Sequence, residues 1–375
     1  MRILIATDAW QPQVNGVVST LERMTQAAAE LGAAFDFLTP QGMWTAPLPS
    51  YPEIRLAIPS RRRIGRCIEE TRPDHIHIAT EGPIGWLTRR YCLRHKRAFT
   101  TSYHTRFPEY VSARIGVPEW LTYAGLRYFH APSAAVMAPT ATIGADLTRR
   151  GFARVRLWTR GVNHAFYRPR PKQALDLPRP IFLSVGRVAV EKNLDALLGL
   201  DLPGSMVIVG DGPARRHLER RYPHAHFLGV KQGEALADIY ASADVFVFPS
   251  RTDTFGIVMI EALASGLPVA AFPVPGPIDV VAPGAGVLDE DLRAACLKAL
   301  TIPREQAREH SLRFTWEESA RQFLDNIEAS RVDIKAAIAS SPGPVGGARR
   351  IEKGERPKRA SCPVLPSTAQ TRARR

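Results

Sequence analysis

The 375-residue chain is basic, with 50 Lys and Arg against 36 Asp and Glu and a net charge of +14. It is long enough for two α/β domains with cores of their own, and its four scattered cysteines indicate neither a zinc site nor a disulfide framework. The first apolar run is too short for a signal peptide and no stretch approaches the length of a membrane span, so we expect a cytoplasmic protein.

The positive charge is concentrated at the C-terminal end. Residues 331–375 contain eleven Lys or Arg and three Asp or Glu, so they hold +8 of the +14. From Ser340 onward Pro, Gly, Ser and Arg dominate, and we predict a disordered basic tail over 340–375. Such a tail can contact anionic lipid or nucleic acid, or can aid solubility. Because no nucleic-acid-binding motif accompanies it, we expect no nucleic-acid partner.

The first half alternates short apolar runs with helical segments. A strand at 2–6 leads through a polar loop to Gly16, where we predict the start of a helix that ends near Leu31. A strand, a loop, a glycine and a helix in this order form the general phosphate-binding βα unit. We predict 40–52 as a proline-rich loop. Further strands are predicted at 35–38, 54–56, 73–78, 98–102, 135–138 and 155–158.

Three features of this half could serve a ligand or a surface. His104 follows the strand at 98–102, at the edge where open α/β sheets bind ligands, although a structural histidine is an equally open reading. A predicted helix at 60–72 is basic, and a solvated face is its simpler interpretation. The aromatic-rich segment 115–138 is either domain core or an acceptor-binding or membrane-facing groove. The basic residues of the helix are Arg61, Arg62, Arg63 and Arg66.

The second half repeats the alternation after a linker at 160–171. Strands that alternate with helices in both halves predict two parallel-sheet domains, over 1–165 and 175–312. A capping box from Thr315 to Glu318 predicts a last helix that runs to about Ser330. The predicted strands of the second half are 181–185, 206–209, 226–229, 245–248 and 268–272.

Polar residues follow the strand at 245–248. Asp253 lies in the loop, Phe255 and Gly256 lie at the predicted helix start, and Glu261 lies inside the helix. Free N–H groups at a helix start favour an anion, and carboxylates accept hydrogen bonds from vicinal hydroxyls, so the segment suits a sugar joined to a phosphate. A helix cap and a solvated glutamate are the simpler alternative. The apolar neighbours of Glu261 weaken it, because a carboxylate among them requires a partner.

Taken together, the motifs resemble the retaining glycosyltransferases of family 4, whose GT-B fold has two facing Rossmann-like domains. The resemblance covers roughly residues 1–330 and omits the tail. In the first half the matching residues are Pro12, Asn15-Gly16-Val17-Val18 and Ser102-Tyr103-His104-Thr105. In the second half they are Gly186-Arg187, Glu191-Lys192-Asn193, Gly210-Asp211-Gly212-Pro213, Asp253-Thr254-Phe255-Gly256, Glu261, Gly266-Leu267-Pro268-Val269 and Gly276-Pro277-Ile278-Asp279.

The resemblance implies how the donor diphosphate is held. Arg187 and Lys192 would neutralise it, and Gly16 would let backbone N–H groups approach it from the other domain. The departing nucleoside diphosphate gains negative charge, which these two cations can stabilise. We therefore expect no metal and no cofactor. The helix at 315–330 would cross back to pack on the first domain.

The resemblance also implies how the rest of the donor is held. Glu261 would accept hydrogen bonds from the ribose hydroxyls. Asp253 would hold hydroxyls of the transferred sugar, beside the amides of Phe255 and Gly256. His104 would contact the same sugar from the first domain. With Arg187 and Lys192, Asp253 and His104 are the predicted catalytic residues.

Two positions depart from the family pattern. Asp253 stands where the family usually has Glu, and Asn163 stands where the linker usually has Asp. The Asp-Thr-Phe-Gly block together with Tyr-His-Thr is similar to the branch that glycosylates membrane lipids or uses GDP-mannose. That branch includes mannosyl-, sulfoquinovosyl- and glucuronosyl-lipid synthases.

We therefore predict a metal-independent, retaining hexosyltransferase that uses a nucleoside diphosphate sugar. The expected acceptor is a membrane glycerolipid such as diacylglycerol or phosphatidylinositol, reached by peripheral binding to the anionic inner face of the membrane. A sugar-nucleotide epimerase of the same fold and a non-catalytic sugar-nucleotide-binding protein are the alternatives. The base of the donor, UDP or GDP, the sugar, the acceptor and the oligomeric state stay open.

Overall fold

The computed structural model describes residues 1–11, 15–48, 51–109, 112, 116–339 and 365–366. Strands and helices alternate through most of the first half, as the sequence predicts. In chain order its elements are β1 (Arg2–Ala6), α1 (Gly16–Glu30), β2 (Ala34–Leu38), β3 (Thr45–Leu48), β4 (Tyr51–Ala57), α2 (Arg61–Thr71), β5 (His75–Ile78), α3 (Pro83–Arg94), β6 (Phe99–Ser102), α4 (Glu119–His130), β7 (Val136–Ala138), α5 (Ala141–Arg149) and β8 (Val155–Leu157).

The second half repeats the pattern and adds a 3₁₀ turn at Val190–Lys192. Its other elements, with the two that follow it, are β9 (Ile181–Val185), α6 (Asp195–Leu198), β10 (Ser205–Val209), α7 (Arg215–Arg221), β11 (His226–Phe227), α8 (Gly233–Ser242), β12 (Val245–Phe248), α9 (Ile257–Ala264), β13 (Val269–Ala271), α10 (Pro277–Val280), β14 (Gly286–Leu288), α11 (Leu292–Ala299), α12 (Arg304–Ser311), α13 (Trp316–Ala339) and β15 (Leu365–Pro366).

Two large sheets result in the described part of the chain, beside a two-stranded sheet of β3 and β4. The first has the order β15-β2-β1-β5-β6-β7-β8, and the second has the order β11-β10-β9-β12-β13-β14. All pairings in the second sheet are parallel, and in the first only the β15–β2 pairing is antiparallel. Helices cover both faces of such sheets, which is why strands like β12 are apolar and buried throughout. The predicted α/β class with two parallel sheets is confirmed.

Local side-chain caps set where several helices begin. Asn15 Oδ1 accepts hydrogen bonds from the backbone N–H groups of Val17 and Val18, both at 3.0 Å, so α1 begins at Gly16. Ser60 Oγ accepts from Arg63 N at 3.2 Å at the start of the basic helix α2. These caps satisfy N–H groups that the helix itself leaves without partners.

The long helix α13 packs against the first sheet. Phe323 and Ile327 are fully buried in one core cluster with Ile3, Phe35 and Trp158. The Thr315 cap of the predicted capping box is present, since Glu318 N donates to Thr315 Oγ1 at 3.1 Å. The helix is longer than predicted, because it continues nine residues beyond Ser330. The expected domain limits of 1–165 and 175–312 stay predictions.

Two local expectations need correction. The proline-rich loop at 40–52 contains β3 and the start of β4, which form an antiparallel hairpin. Cys67 is disulfide-bonded, contrary to the absence of disulfides that the cysteine pattern indicates. In the predicted tail over 340–375, Leu365–Pro366 forms a strand beside β2, and the other tail residues lie outside the described ones. Within the described ranges no helix is long and apolar enough to cross a bilayer.

The packing of α13 predicts a stability effect. Phe323→Ala should lower the free energy of unfolding by about 3–5 kcal/mol, because a fully buried ring that contacts Trp158 and Phe35 is removed. Urea unfolding followed by circular dichroism measures this. Val332→Ala, on the same helix but 65% exposed, should stay within about 0.5 kcal/mol of wild type. Equal effects of the two substitutions would contradict the packing described.

Candidate active site

The second sheet reverses its direction of growth between β9 and β12. From β9 the chain adds β10 and β11 on one side, and it then returns to place β12 on the other side. Open α/β sheets bind ligands in the crevice at such a switch point, at the carboxyl ends of the strands. Arg187 follows β9 and Asp253 follows β12, so two of the predicted site residues lie at this point.

The turn that carries Lys192 is tied to the loop after β12. Asn193 has a left-handed backbone with φ of 53°, and its Nδ2 donates to the carbonyl oxygen of Pro249 at 3.1 Å. Ser250 Oγ donates to the carbonyl oxygen of Glu191 at 3.3 Å. These two contacts hold the residues on both sides of Lys192 against the loop that follows β12.

Lys192 and Asp253 form an ion pair. Lys192 Nζ donates to Asp253 Oδ1 at 2.6 Å, and the side chains are only 25% and 16% exposed. The sequence predicts both as donor ligands but does not predict that they touch. Asp253 Oδ2 is buried and has no hydrogen-bond partner among the described residues. A buried carboxylate oxygen without a donor is costly, so this atom is suited to receive a ligand hydroxyl.

Glycines bring the backbone close to Asp253. Gly256 begins α9 with φ of 79°, and a Cβ there would lie 2.8 Å from Met259 Cε. Gly276 has φ of 96°, and a Cβ there would lie 3.2 Å from the carbonyl oxygen of Asp253. Larger residues would strain both turns. Phe255, between Asp253 and Gly256, is buried with its ring 6.1 Å from that of Phe314.

Glu261 is held by two tyrosines. Tyr240 donates to Glu261 Oε2 at 3.0 Å, and Tyr167, from the segment between the two large sheets, also lowers the pKa of this carboxyl as a side-chain hydrogen-bond donor. Burial raises the pKa of Glu261 to about 7, against the lowering effect of both tyrosines and of Arg23 on α1. The tyrosines satisfy part of the carboxylate and orient it. Glu261 is thus partly buried and hydrogen-bonded, an environment unlike that of a freely solvated helix residue.

The first half contributes His104 to the same cleft. Thr254 Oγ1 donates to the carbonyl oxygen of His104 at 2.7 Å, so the residue after Asp253 is bonded directly to the other sheet's loop. His104 Nε2 is buried without a partner among the described residues. A Cβ on Gly16 would lie 3.9 Å from Ile257 Cδ1, so the starts of α1 and α9 face each other.

Arg187 is half-buried, and burial lowers its pKa while nearby Glu191 opposes the shift. The segment after β9 therefore supplies two cations, Arg187 and Lys192, and Lys192 also contacts Asp253; cations at such a site can hold an anionic ligand. Within the described ranges no group of three or more His, Cys, Asp or Glu side chains is placed to hold a metal ion.

Sequence analysis does not identify several residues that contact the predicted site. Tyr167, Tyr240 and Thr254 contact predicted site residues, yet each looks like linker, core or loop in the sequence. The only available signal is the family motif for Thr254. The two tyrosines have none, because their contact with Glu261 joins residues distant in the chain.

Comparison with known proteins identifies the family of this chain. Residues 14–166 match the family described as Glycosyltransferase Family 4, and residues 179–301 match Glycosyl transferases group 1. The chain is 31% identical over 311 residues to a GDP-mannose-dependent alpha-mannosyltransferase of Mycobacterium tuberculosis, a match that covers 76% of this chain and 82% of that protein. The chain belongs to the family 4 glycosyltransferases. It is therefore a glycosyltransferase enzyme, as the motifs predict.

Two further similarities extend the comparison. The alpha-monoglucosyldiacylglycerol synthase of Streptococcus pneumoniae is 26% identical to this glycosyltransferase, over 89% of this chain and 86% of that protein. The structure of Anabaena HepE in complex with UDP and glucose superposes with a TM-score of 0.67 at 15% identity, over 88% of this chain and all of that chain. The fold is thus GT-B, as expected.

The first site prediction concerns the charged ligands. Glu261→Gln and Lys192→Ala should each lower kcat/KM for the donor roughly tenfold to a hundredfold, because each loses charge-assisted hydrogen bonds worth about 1.5–3 kcal/mol. Steady-state kinetics with intact folding checks this. The matched controls are Glu290→Gln and Lys298→Ala, which alter exposed ion pairs of the second half and should turn over normally. Normal turnover in the site variants would remove both residues from the site.

The second site prediction concerns pH. Because burial raises the pKa of Glu261 to about 7, its carboxylate form becomes more populated as pH rises from about 6 to 8. Ribose hydroxyls donate better to a carboxylate than to a carboxylic acid, so kcat/KM should rise over this range. The same pH series on Glu261→Gln should lack this rise. A rise of equal size in both proteins would assign it to another group.

Proposed function

We propose that this glycosyltransferase moves a hexose from a nucleoside diphosphate donor to a hydroxyl of a membrane glycerolipid, with retention at the anomeric carbon. The observation that carries the proposal is a pair of buried, unpartnered polar atoms in the cleft. Asp253 Oδ2 can accept a hydrogen bond and His104 Nε2 can donate one. They come from opposite halves that Thr254 joins. A sugar hydroxyl can satisfy either atom.

The cations beside this pair suit the leaving group. In the proposed reaction the bond between the anomeric carbon and the β-phosphate oxygen breaks, and negative charge builds on that phosphate. Arg187 and Lys192 stabilise this charge. The acceptor oxygen attacks from the same face, and its proton passes to the departing phosphate oxygen, so charge and atoms balance. No protein nucleophile is required, and the configuration is retained.

The donor we propose to test first is GDP-mannose. The mycobacterial relative at 31% identity is named for this donor. Glu261, which the two tyrosines orient, then holds the ribose, a part that GDP and UDP share. UDP-glucose is the second donor, because the Streptococcus relative is named for glucosyl transfer and HepE binds UDP and glucose.

An apolar and basic surface of the first half supports the lipid acceptor. Trp44 is 87% exposed and Ile58 is 64% exposed, and Ile58 N donates to the carbonyl oxygen of Trp44 at 2.7 Å. Helix α2 begins three residues after Ile58, and its Arg61, Arg62 and Arg66 are exposed. Exposed aromatic and aliphatic side chains beside cations are typical of surfaces that insert into the boundary of anionic bilayers.

The aromatic residues of helix α4 fall into two groups, one buried in the domain core and one exposed on the surface. Tyr123 and Phe129 are buried, whereas Trp120 and Tyr128 are exposed. The ring of Tyr128 stacks on Trp86, with Arg89 4.6 Å from its centroid. The exposed members add apolar area to the first half, and we include them in the proposed acceptor-side surface.

The transfer itself is the first test. With radiolabelled GDP-mannose or UDP-glucose and vesicles that contain diacylglycerol and phosphatidylinositol, the protein should form a labelled lipid with an α-linkage, which chromatography and NMR identify. Turnover should survive excess EDTA, because Arg187 and Lys192 supply the positive charge at the diphosphate. Release of nucleotide without any acceptor would favour the epimerase, and an intact bound donor with every lipid would favour a binding protein.

Membrane binding is the second test. Sedimentation with phosphatidylglycerol-rich vesicles should show binding that salt weakens, and phosphatidylcholine vesicles should bind less. The triple substitution of Arg61, Arg62 and Arg66 to Ser should reduce partitioning roughly tenfold or more, at about 1 kcal/mol per charge. Arg63 is left intact because its Nη1 donates to the carbonyl oxygen of Gly42.

The matched control removes the same charge from the second half. Substitution of Arg216, Arg220 and Arg221 on α7 to Ser should leave vesicle binding unchanged, because these residues lie on the other sheet's layer. Deletion of 341–375 should have the smaller effect. Equal losses from the two triple variants would mean that net charge alone drives binding, and a soluble acceptor would become the better proposal.

A further inference from the structure

His104 is fixed by a buried arginine that the family motifs do not include. The Nη2 of Arg160, at the start of the linker, lies 3.2 Å from His104 Nδ1. The imidazole and indole rings of His104 and Trp158 also form a T-shaped pair, with ring centroids 5.6 Å apart. The side chain of His104 therefore has one polar contact and one aromatic contact that together set the plane of the ring.

The chemistry of the contact determines where the imidazole carries its proton. A guanidinium has five N–H donors and no acceptor, so Nδ1 of His104 must present its lone pair to Arg160. Burial and the neighbouring Arg160 and His77 lower the pKa of His104 well below its usual value, so the ring is neutral. A neutral ring with a bare Nδ1 carries its only proton on Nε2. That N–H is the buried group without a partner among the described residues.

Arg160 is held rigidly for this contact. Its side chain is 3% exposed, and Nη1 donates to the carbonyl oxygens of Trp158 at 2.5 Å and Thr159 at 3.1 Å. The guanidinium lies 4.3 Å from the centroid of the Trp158 ring. No carboxylate among the described residues pairs with Arg160, and burial lowers its pKa to about 9. Keeping a buried cation without a counter-charge lowers the stability of the fold. A role at the site explains better than packing does why Arg160 is present despite this cost.

Helix α13 supports the platform beneath these two side chains. The indole Nε1 of Trp158 donates to Ser319 Oγ at 3.1 Å, and Ser319 Oγ donates to the carbonyl oxygen of Thr159 at 2.7 Å. One serine of the long helix thus fixes both the ring under His104 and the backbone that precedes Arg160. Through these contacts, the packing of α13 on the first half helps to hold His104 and Arg160 in place.

We infer that Arg160 is a positioning residue that keeps the proton of His104 on Nε2 and directs this N–H at a hydroxyl of the transferred sugar. The inference rests on the proposed function for the identity of the ligand, and on the structure alone for the state of the imidazole. Arg160 acts through His104 and does not touch the sugar.

The first experiment measures the tautomer of the His104 imidazole directly by NMR. In protein labelled with ¹⁵N-histidine, the His104 signals are assigned by their loss in His104→Ala. Wild type should show the Nε2–H tautomer. Arg160→Met removes the donor to Nδ1 and leaves the Trp158 carbonyl without its partner, so an Nδ1–H form should become populated. Arg160→Lys, which keeps a donor and its charge, should retain the wild-type signal. An unchanged tautomer in Arg160→Met overturns the inference.

A matched control separates this effect from the loss of a buried arginine. Arg304 is also partly buried with a lowered pKa, and its guanidinium donates to the carbonyl oxygens of Ala241, Ala243 and Ser265 in the second half. Arg304→Met should lower the thermal unfolding midpoint while leaving the His104 signals unchanged. If Arg304→Met altered the tautomer as much as Arg160→Met, the assignment to Arg160 would fail.

The second arm is a double-mutant cycle in turnover of GDP-mannose or UDP-glucose. Arg160→Met should lower kcat/KM about threefold to tenfold, the effect of one hydrogen bond, while inhibition by GDP or UDP stays unchanged because neither carries the sugar. In a His104→Ala background the same substitution should have no further effect. Equal losses in both backgrounds overturn the inference. If wild type uses neither donor, the proposed function fails for them, and the tautomer arm still decides the role of Arg160.

Discussion

One hydrogen bond across the cleft determines how the site is assembled. Thr254 Oγ1 donates to the backbone carbonyl of His104, so the loop that follows β12 is bonded to the loop that follows β6. Asp253 precedes Thr254, and the same bond therefore brings its carboxylate and the His104 ring to one cleft. The polar atoms left over, Asp253 Oδ2 and His104 Nε2, are an acceptor and a donor in a buried place. Each incurs a desolvation cost until a ligand satisfies it.

The two carboxylates of the site have different polar partners. Lys192 touches Asp253 directly at 2.6 Å, while Glu261 is screened by Tyr240 and Tyr167 and has a pKa raised to about 7. Binding of a diphosphate would place a second anion near Lys192, so this ammonium would bridge the phosphate and Asp253. In the proposed site the ion pair would thereby link recognition of the leaving group to recognition of the sugar. Burial strengthens both links, since fewer water molecules screen them.

The sequence predicts the sheets and the motif residues well for a physical reason. Buried parallel strands are continuous apolar runs, and ligands follow their carboxyl ends, so Asp253 and His104 can be placed from local pattern, whereas Arg187 enters through the family resemblance. The hairpin of β3 and β4 was missed because Pro47 and Pro52 argue against strands, although edge strands tolerate proline. Arg160 and Tyr240 were missed because their contacts with His104 and Glu261 join distant parts of the chain, which spacing does not encode.

The central claim is that the two unpartnered atoms of the cleft receive hydroxyls of the donor sugar. A crystal structure with GDP-mannose, or with UDP-glucose if that donor binds more tightly, tests it most directly. Our account predicts sugar hydroxyls within hydrogen-bond distance of both Asp253 Oδ2 and His104 Nε2, with the diphosphate against Lys192 and Arg187. A donor bound with its sugar outside the cleft, and with both atoms still without partners, would contradict the account.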